Sequence, residues 1–517
     1  MIFKYLILKL IMDPEDIRAI DENAEFFGLS RLQLMESAGK SVADSLIKRM
    51  NLNGKNILIL AYIGNKGGDG FVAARYLSYY GANVNVILLS KPELISTEES
   101  KRNFSILEKL SSVAIYYAPI PLDVFSLKEL FDSADVIIDA MLGTGARGEP
   151  KEPIKTAIEL SNQSKAFKVS IDIPSGIDAK TGSIYKTVFK ADLTITHHRP
   201  KSGLLCEIAK PFVGELEIAN IGIPCDFEFY VGPGDLKIAI KKRNPFSHKG
   251  DNGRILVIGG SYKFTGAPAL TAMAALRTGI DLAIIAVPSS IANAIRSYSP
   301  DLIVLPLPSK DVLDQESIEV IKNESKRVDA IIIGMGLGLE ESTISTVNEI
   351  IKYLNDMEKP LVIDADALKA LGRIREELKF KKAVLTPHAG EFYLLTGEPL
   401  PNESSLGWKS RVNIVMKWAS KFNATILLKS RYDIITDGNR FKIKIIGNPG
   451  MTVGGTGDVL AGIVGAFLSR GISPFRAATA ASFLNSYIGD LLEAEIGHHY
   501  TASDIVNKIP EVIKKFE

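Results

Sequence analysis

The stretch MTVGGTGDVLAGIVGAFL, from Met451 to Leu468, combines residue types that could do chemistry. Glycines and a threonine surround one acid, Asp458, and a run of small apolar residues that favours a helix follows. Glycines let backbone N–H groups approach an anion closely, and a helix N-terminus adds partial positive charge. A carboxylate there repels the anion, so it is better suited to accept a proton from a neighbouring group. A glycine-rich turn in which Asp458 only caps the helix remains the alternative.

Other polar or glycine-rich positions follow apolar runs in the same half of the chain. Asp364 and Asp366 lie in VIDADAL, His388 and Glu391 lie in LTPHAGEF, and GMGLG ends at Gly338. Any one of these residues could simply cap a helix or pack in a turn. In α/β sheets, however, ligands bind at the carboxyl ends of the strands. Their joint occurrence therefore predicts one site on a shared edge.

The first half has its own glycine-rich loop, GNKGGDG, between an apolar run and the helical pattern FVAARYL. A dinucleotide-binding fingerprint needs GxGxxG and an acid about 20 residues later, and this loop lacks that spacing. A plain NAD-dependent dehydrogenase is therefore disfavoured. The loops MLGTGARGEP and PSGIDAKTG follow later apolar runs and are placed to join the same site.

Short apolar, β-branched runs alternate with helical patterns in both halves, which predicts parallel sheets covered by helices on both faces. The predicted strands of the first half are residues 56–61, 83–89, 134–140, 168–173 and 192–196. Those of the second half are 254–260, 281–288, 329–336, 360–368, 382–392 and 424–430, with a hairpin at 432–446. The pattern falters in a segment rich in Gly, Pro and Lys after residue 228. We therefore expect two three-layer α/β domains, residues 1–228 and 229–517.

Composition limits the possible partners. The 517 residues include 61 Lys and Arg against 60 Asp and Glu, which disfavours nucleic acid. Cys206 and Cys225 have no zinc-like spacing, so we expect a reducing compartment and a cytoplasmic protein. The apolar residues 1–11 are too short for a membrane span of roughly 20 residues and lack a signal cleavage site, and Met12 is an alternative start. We expect no membrane partner and a homo-oligomer.

The second half resembles the NAD(P)H-hydrate dehydratase family, which has a ribokinase-like fold. The motifs that carry the resemblance are KGDNGRILVIGGS, TGAPALTAMAALRTG, VIDADAL, LTPHAGEF and GNPGMTVGGTGDVLAGIVGAFL. The resemblance implies that ADP or ATP, with Mg²⁺, phosphorylates the hydroxyl of hydrated NADH or NADPH, after which phosphate leaves. Asp458 would be the base and also a substrate contact, together with Ala267, Gly338 and His388. The implied nucleotide contacts are Lys429, Ser430, Arg431, Tyr432, Asp433, Gly454, Gly455, Thr456 and Gly457, although the family favours Lys-Gly-Thr where this chain has KSRYD.

The first half, from about Met12 to Pro224, resembles the NAD(P)H-hydrate epimerase family, with a Rossmann-like sheet. The resemblance rests on LSRLQLMESAG, GNKGGDG, DAMLGTGARGEP and SIDIPSGIDAKTG. It implies acid–base work by Asp172 at the hydroxyl-bearing carbon. The implied substrate contacts are Asn65, Lys66, Gly67, Gly68, Asp69, Gly143, Thr144, Gly145, Ala146, Arg147, Gly148, Glu149 and Asp172.

The family also binds potassium, and its ligands correspond to Asp139, Ser175 and a position that is Lys66 here. An ammonium could replace the ion, could leave a weaker ion site, or could meet a substrate phosphate.

Together the halves resemble a bifunctional family that repairs hydrated NADH and NADPH. The first half would interconvert the R and S hydrates, and the second would dehydrate the S hydrate. The alternative is a small-molecule kinase of ribokinase-like fold fused to a non-catalytic nucleotide-binding module. The sequence leaves the choice between ADP and ATP open.

Overall fold

A computed structural model describes residues 12–402 and 408–517. The apolar stretch 1–11 discussed above lies outside the described residues. The chain divides into two compact units, one ending at Phe227 and the other beginning at Glu228. We call them the N-terminal and the C-terminal unit. Among the described residues, no helix is long and apolar enough to cross a membrane.

The N-terminal unit contains one seven-stranded sheet of parallel strands in the order β3-β2-β1-β4-β5-β6-β7. The strands are β1 Asn56–Ala61, β2 Asn83–Leu88, β3 Val113–Tyr117, β4 Val136–Ala140, β5 Phe167–Ile171, β6 Leu193–His197 and β7 Glu215–Ala219. The helices are α1 Pro14–Phe26, α2 Arg31–Arg49, α3 Asn65–Tyr79, α4 Glu98–Leu107, α5 Pro121–Ser126, α6 Lys128–Ser133, α7 Ile154–Gln163 and α8 Lys210–Val213.

Strand β1 shows why this sheet is covered on both faces. Side chains alternate across a strand, so an apolar run buries residues on both sides. Ile57 and Ile59 belong to one hydrophobic cluster, whereas Leu58 and Leu60 belong to another. The three-layer α/β architecture predicted for this half is confirmed.

The C-terminal unit contains a nine-stranded sheet in the order β10-β9-β8-β11-β12-β13-β14-β15-β16, in which the pairs β14–β15 and β15–β16 are antiparallel. The strands are β8 Arg254–Ile258, β9 Leu282–Pro288, β10 Ile303–Leu307, β11 Ala330–Ile333, β12 Leu361–Ile363, β13 Ala383–Leu385, β14 Thr425–Leu428, β15 Asp433–Thr436 and β16 Phe441–Lys444. The helices are α9 Pro233–Ala239, α10 Gly266–Arg277, α11 Ala292–Arg296, α12 Ile318–Ser325, α13 Glu341–Asp356, α14 Ala365–Leu371, α15 Ala389–Thr396, α16 Trp408–Phe422, α17 Thr456–Ser469, α18 Pro474–Ile496 and α19 Ala502–Phe516. The predicted hairpin is confirmed as β15 and β16.

Helix α17 packs closely against α10 because it carries glycines. A Cβ at Gly462 would lie 2.3 Å from the carbonyl oxygen of Thr271 in α10. Such a distance is a clash, so only glycine allows the two helices to approach this closely. The small-residue run after Asp458 is therefore a buried helix, as predicted.

Three strands were not predicted, and each lies at the edge of a sheet: β3, β7 and β10. Only one residue of each of these strands is buried, so they lack the burial on both faces that marks the central strands. Two predicted strands were too long. Residues 360–368 and 382–392 leave the sheet after Ile363 and Leu385, and helices begin at Ala365 and Ala389.

Candidate active sites

Three charged side chains meet at the carboxyl ends of neighbouring strands in the C-terminal unit. Asp364 follows β12, Glu391 lies in the first turn of the helix after β13, and Lys429 follows β14. The Nζ of Lys429 lies 2.7 Å from Oδ1 of Asp364 and 3.8 Å from Oε2 of Glu391. Because β12, β13 and β14 are parallel neighbours, residues that follow them share one edge.

The glycine-rich stretch forms the N-terminus of α17 beside this cluster. Gly455 precedes the helix with a φ of +96°, a conformation that favours glycine. A Cβ at Gly455 would also lie 2.8 Å from Leu270. Gly457 is in the first turn, and a Cβ there would lie 3.4 Å from the Nζ of Lys429. The ammonium of Lys429 therefore lies next to the positive end of the helix. The ammonium and the helix N-terminus together attract an anion.

Asp458, also in the first turn of α17, has a perturbed acidity. Burial raises its pKa to about 7, and the neighbouring carboxylates Asp364 and Glu391 add to the rise while Lys429 opposes it. A carboxyl group with a pKa near neutrality can accept and release a proton under physiological conditions. The hydroxyl of Thr271 donates hydrogen bonds to the carbonyl oxygens of Asp458 and Ala267, each 3.1 Å away. This bridge ties the predicted substrate contact Ala267 to the start of α17.

His388 and Gly338 lie at strand ends on the same edge of the sheet. The Nδ1 of His388 accepts hydrogen bonds from the backbone N–H groups of Gly390 and Glu391, at 3.0 and 3.3 Å. The His388 side chain is 57% exposed, and its Nε2 lies 3.4 Å from Oε1 of Glu391. The backbone N–H of Gly338 donates to Oδ2 of Asp366 at 2.9 Å. Both predicted contacts are thus fixed by local hydrogen bonds.

The side chains of residues 429–433 have different structural roles. The buried carboxylate of Asp433 accepts from the backbone N–H of Ser430 at 3.0 Å and from the hydroxyl of Ser482 at 2.8 Å. The hydroxyl of Ser430 donates to the carbonyl oxygen of Tyr432, and Arg431 donates to two backbone carbonyls of the adjoining chain. These groups shape the turn, whereas Lys429 reaches the carboxylate cluster.

In the N-terminal unit, the glycine-rich loop is itself the first turn of α3, which begins at Asn65. A Cβ at Gly67 would lie 1.9 Å from the carbonyl oxygen of Tyr62, and a Cβ at Gly68 would clash with Met35 and Ser100. These glycines are therefore needed for close packing. The exposed Asn65 and the half-buried Asp69 flank them.

Asp172 follows β5 in a strained backbone conformation, with a φ of +64°. Such strain in a residue other than glycine is often found at functional sites. Its Oδ1 accepts hydrogen bonds from the Nζ of Lys201, from the backbone N–H of His197 at 3.2 Å and from the hydroxyl of Thr196 at 3.3 Å. Burial by itself would raise the pKa of Asp172, but the Lys201 ammonium, together with His197 and the hydrogen bonds from both residues, outweighs burial and lowers the pKa to about 2.

The pKa of Asp69 is shifted in the opposite direction, and this residue also lies near His197. The Nδ1 of His197 is 4.0 Å from Oδ2 of Asp69 and 4.0 Å from Oδ1 of Asp172. Burial, with help from the charge of Asp172, raises the pKa of Asp69 well above its usual value. Burial lowers the pKa of His197 to about 4, so its imidazole is neutral at pH 7. Two carboxyl groups with opposite pKa shifts can divide the roles of acid and base.

Sequence reasoning missed Lys201, His197 and Asp21 as members of this cluster. Burial raises the pKa of Asp21 to about 7, and Lys201 and Asp172 are among the charges that act on it. His197 and Lys201 come from the end of β6 and the segment after it, a position like those of the predicted loops. Strand-end position was thus the available signal for these two residues, whereas Asp21, in α1, offered none.

The loop that begins at Gly143 is closed by its last residue. Glu149 accepts hydrogen bonds from the backbone N–H groups of Lys186 and Thr187, at 2.8 and 2.9 Å. Arg147 forms an ion pair with Asp178 at 2.7 Å. The predicted contacts Thr144, Gly145, Ala146 and Gly148 lie between these fixed points and are half-buried or exposed. A backbone hydrogen bond of 3.1 Å from Ala146 to Gly143 forms the turn.

Lys66, in the first turn of α3, directs its ammonium inward. Its Nζ lies 2.8 Å from Oδ2 of Asp139, a residue of β4 whose other carboxylate oxygen accepts from the hydroxyl of Ser175 at 2.6 Å. The structure thus brings together Lys66, Asp139 and Ser175, the three positions that the resemblance assigns to a potassium ion.

Comparison with known proteins supports the family resemblance of both halves. A family model described as NAD(P)H-hydrate dehydratase matches residues 255–511, and one described as YjeF-related protein N-terminus matches residues 31–203. Two proteins named bifunctional NAD(P)H-hydrate repair enzyme are similar along the chain. That of Pyrobaculum aerophilum is 44% identical over 496 residues, covering 96% of this chain and 96% of that protein. That of Methanothermobacter thermautotrophicus is 42% identical over 513 residues, covering 97% and 95%.

Among solved structures, an ADP/ATP-dependent NAD(P)H-hydrate dehydratase of Bacillus subtilis, co-crystallised with ATP and Mg²⁺, is 24% identical. It covers 56% of this chain and 98% of its own, with a TM-score of 0.48. The full-length relatives are the stronger finding, because their identity extends over nearly the whole chain. This chain therefore belongs to the bifunctional NAD(P)H-hydrate repair enzymes, with an epimerase half followed by a dehydratase half.

Proposed function

We propose that the C-terminal unit dehydrates the S hydrate of NADH or NADPH at the cluster of Asp458, Lys429, Asp364 and Glu391, with ADP or ATP as phosphoryl donor. The observation that carries this proposal is Asp458: a carboxyl group with a pKa of about 7 in the first turn of a glycine-rich helix start. That combination provides a base next to an anion site.

The reaction uses these two features in sequence. Asp458 takes the proton of the substrate hydroxyl, and the resulting oxygen attacks the terminal phosphorus of the nucleotide while the bond to the nucleotide's bridging oxygen breaks. The backbone N–H groups from Gly454 to Gly457 and the ammonium of Lys429 stabilise the charge on the phosphoryl oxygens. The phosphorylated carbon then loses phosphate, the neighbouring ring carbon loses a proton, and the double bond returns.

Mg²⁺ would neutralise charge on the nucleotide phosphates. It prefers oxygen ligands, and the carboxylates of Asp364 and Glu391 offer such donors at the same edge. Ala267, Gly338 and His388 are the proposed contacts to the hydrated nicotinamide nucleotide. Of the segment from Lys429 to Asp433, Lys429 is the proposed phosphate contact, and the other residues hold the nucleotide mainly through backbone groups, because their side chains shape the turn.

For the N-terminal unit we propose epimerisation shared between Asp69 and Asp172. The hydroxyl-bearing carbon of the hydrate is also bonded to the ring nitrogen, so the loss of water leaves a cation that this nitrogen stabilises. Asp69, whose pKa burial raises well above its usual value, gives a proton to the departing hydroxyl. Asp172, ionised because its pKa is about 2, stabilises the cation. Water then adds to the opposite face and returns the proton to Asp69.

We further propose that residues up to 228 and from 229 onward act as independent domains of a homo-oligomeric, cytoplasmic enzyme. Both cysteines are unpaired, which is compatible with a reducing compartment.

The test is incubation of the purified protein with a mixture of R and S hydrates of NADH, with either ADP or ATP. We expect the absorbance of NADH to return completely, with one free phosphate released for each NADH. A stable phosphorylated product without NADH would instead indicate a small-molecule kinase. Recovery that stops when the S hydrate is exhausted would contradict the epimerase role. The rates with ADP and ATP decide the donor.

A further inference from the structure

The Lys66 side chain places a positive charge in a buried shell of oxygen atoms. Its Nζ lies 2.7 Å from the carbonyl oxygen of Ile173, 2.8 Å from Oδ2 of Asp139 and 3.2 Å from the carbonyl oxygen of Leu142. The hydroxyls of Ser170 and Ser175 complete the shell at 3.4 and 3.5 Å. The side chain of Lys66 is only 4% exposed, and that of Asp139 is fully buried.

The three closest neighbours are all acceptors, and an ammonium has three N–H groups to donate. The carboxylate oxygens of Asp139 likewise have a full set of hydrogen-bond donors. Beyond Lys66, its oxygens accept from the backbone N–H groups of Met141 and Ser175 and from the hydroxyls of Ser170 and Ser175. A buried charge pair is stable only with such complete hydrogen bonding. The arrangement therefore has the features of a built site for one monovalent cation.

The position of Lys66 in the chain supports this view. It is the second residue of α3, where the partial positive charge of the helix disfavours a lysine. A lysine placed there gains nothing from the helix, so its stabilisation comes from Asp139 and the carbonyl oxygens. Its side chain points into the unit rather than to solvent.

The residues present do not fit a potassium ion. Asp139 and Ser175 are the side-chain ligands that the family resemblance implies, and the Lys66 ammonium already contacts both. A second cation at this place would be repelled by the ammonium and would find the carboxylate saturated. At the position where the side-chain oxygen of an asparagine would complete a potassium site, this chain has the positively charged side chain of Lys66.

We propose that the ammonium of Lys66 is a built-in replacement for the monovalent cation, so that the epimerase half works without potassium. Its two carbonyl partners show what the charge does. Leu142 directly precedes the loop from Gly143 to Glu149, and Ile173 directly follows Asp172. One ammonium therefore holds the substrate loop and the catalytic carboxylate in a fixed relation. Lys66 is a positioning residue in this proposal, which rests on the epimerase function proposed above.

The first experiment uses the unmodified protein. Epimerisation is followed without nucleotide, by chromatography of the R and S hydrates, in potassium, sodium or choline chloride at one ionic strength. We expect the same rate in all three salts. A rate that collapses when potassium is withdrawn would overturn the proposal without any variant.

The second experiment converts the site. Lys66→Asn removes the ammonium, supplies an amide oxygen and leaves space beside Asp139. We expect this variant to lose roughly 10–100-fold of the rate in choline chloride, as changes around ion sites often do, and to regain it in potassium chloride. Its thermal unfolding temperature should rise with potassium, whereas that of the unmodified protein should not. Equal rates of Lys66→Asn in potassium and in choline would contradict the proposal.

Lys55→Asn is a matched control. Lys55 forms an ion pair of 2.9 Å with Asp135, at the opposite ends of the same two strands, but these side chains are 44% and 37% exposed. The epimerisation rate and the thermal unfolding temperature of Lys55→Asn should not depend on which cation is present. If the unmodified protein shows no epimerisation in any salt, the proposed function fails, and the unfolding temperatures still decide whether Lys66 replaces potassium.

Discussion

The Nζ of Lys429 lies 2.7 Å from Oδ1 of Asp364, and this ion pair sits beside the first turn of α17. Burial is the largest cause of the raised pKa of Asp458, and this pair modifies it. The negative charges of Asp364 and Glu391 add to the rise, while the positive charge of Lys429 limits it. Burial and these three charges together set the pKa of the proposed base near neutrality, where proton transfer is most effective.

Replacement of Asp458 by asparagine should abolish dehydration while nucleotide binding persists. The amide has nearly the same size but cannot accept the hydroxyl proton. A positioned base contributes roughly 10²–10⁴-fold, so we expect a loss of that order in kcat. The measurement is the return of NADH absorbance from the S hydrate, with nucleotide affinity followed by calorimetry.

Asp301→Asn is the control for this variant, because Asp301 is an exposed acid of the same unit. Turnover of Asp458→Asn within a few-fold of the unmodified enzyme would remove Asp458 from the role of base.

Dehydration should depend on pH with an apparent pKa of about 7 in kcat/KM, which reports the free enzyme. A base must be deprotonated to act, so the rate should fall as pH falls through this value, by about tenfold per unit below it. Lys429→Gln removes the charge that lowers the pKa of Asp458, so its acidic limb should move to higher pH. A profile that is flat from pH 5 to 8, or a limb that moves to lower pH in Lys429→Gln, would contradict this assignment.

The sites could be predicted from sequence where each functional residue follows a buried strand. Asp364 directly follows β12, Glu391 lies in the first turn of the helix after β13, and the parallel pairing of these strands brings the two residues together. Asp21 could not be predicted in the same way. It lies in α1 rather than after a strand, and only the folded unit brings its charge near those of Lys201 and Asp172.

Edge strands show the same limit at the level of the fold. The central strands β1 and β8 are continuous apolar runs, because both faces of the sheet are covered there. Only the last residue of β7 is buried, and charged and apolar residues alternate along it, so it offers no apolar run. Strand β10 also buries only its last residue, and Pro306 interrupts its apolar sequence. A search for continuous apolar runs therefore finds central strands more readily than edge strands such as these two.

Replacement of Lys201 by methionine should slow epimerisation and make it sensitive to acid. In the unmodified protein, Lys201 is the main group that opposes the effect of burial and, together with His197, it holds the pKa of Asp172 at about 2, so this carboxylate stays ionised across the accessible range. Without the ammonium, burial raises that pKa, so protonation begins at higher pH and the rate falls as the solution is acidified. The measurement is the R-to-S rate against pH, corrected for the uncatalysed reaction.

Lys201→Arg should retain most of the charge effect, and Lys210→Met, which breaks an exposed pair with Glu207, should change nothing. Breaking a buried ion pair can cost about 3–5 kcal/mol, so thermal unfolding must show that Lys201→Met is folded at the assay temperature. A folded Lys201→Met with an unaltered pH profile would mean that Lys201 does not control Asp172.

The two units should fold and act separately when the chain is cut between Phe227 and Glu228. Each contains a complete sheet with its own hydrophobic clusters, and chains of roughly 200–300 residues bury enough surface to be stable alone. We expect one cooperative unfolding transition for each fragment.

With a mixture of hydrates and nucleotide, the C-terminal fragment should recover NADH only from the S hydrate, and addition of the N-terminal fragment should bring recovery to completion. A cut after Ser164 is the control, because it separates the paired strands β4 and β5 and should leave no stable N-terminal fragment. If the fragments that meet at Phe227 and Glu228 unfold without cooperativity, the two units are not independent domains.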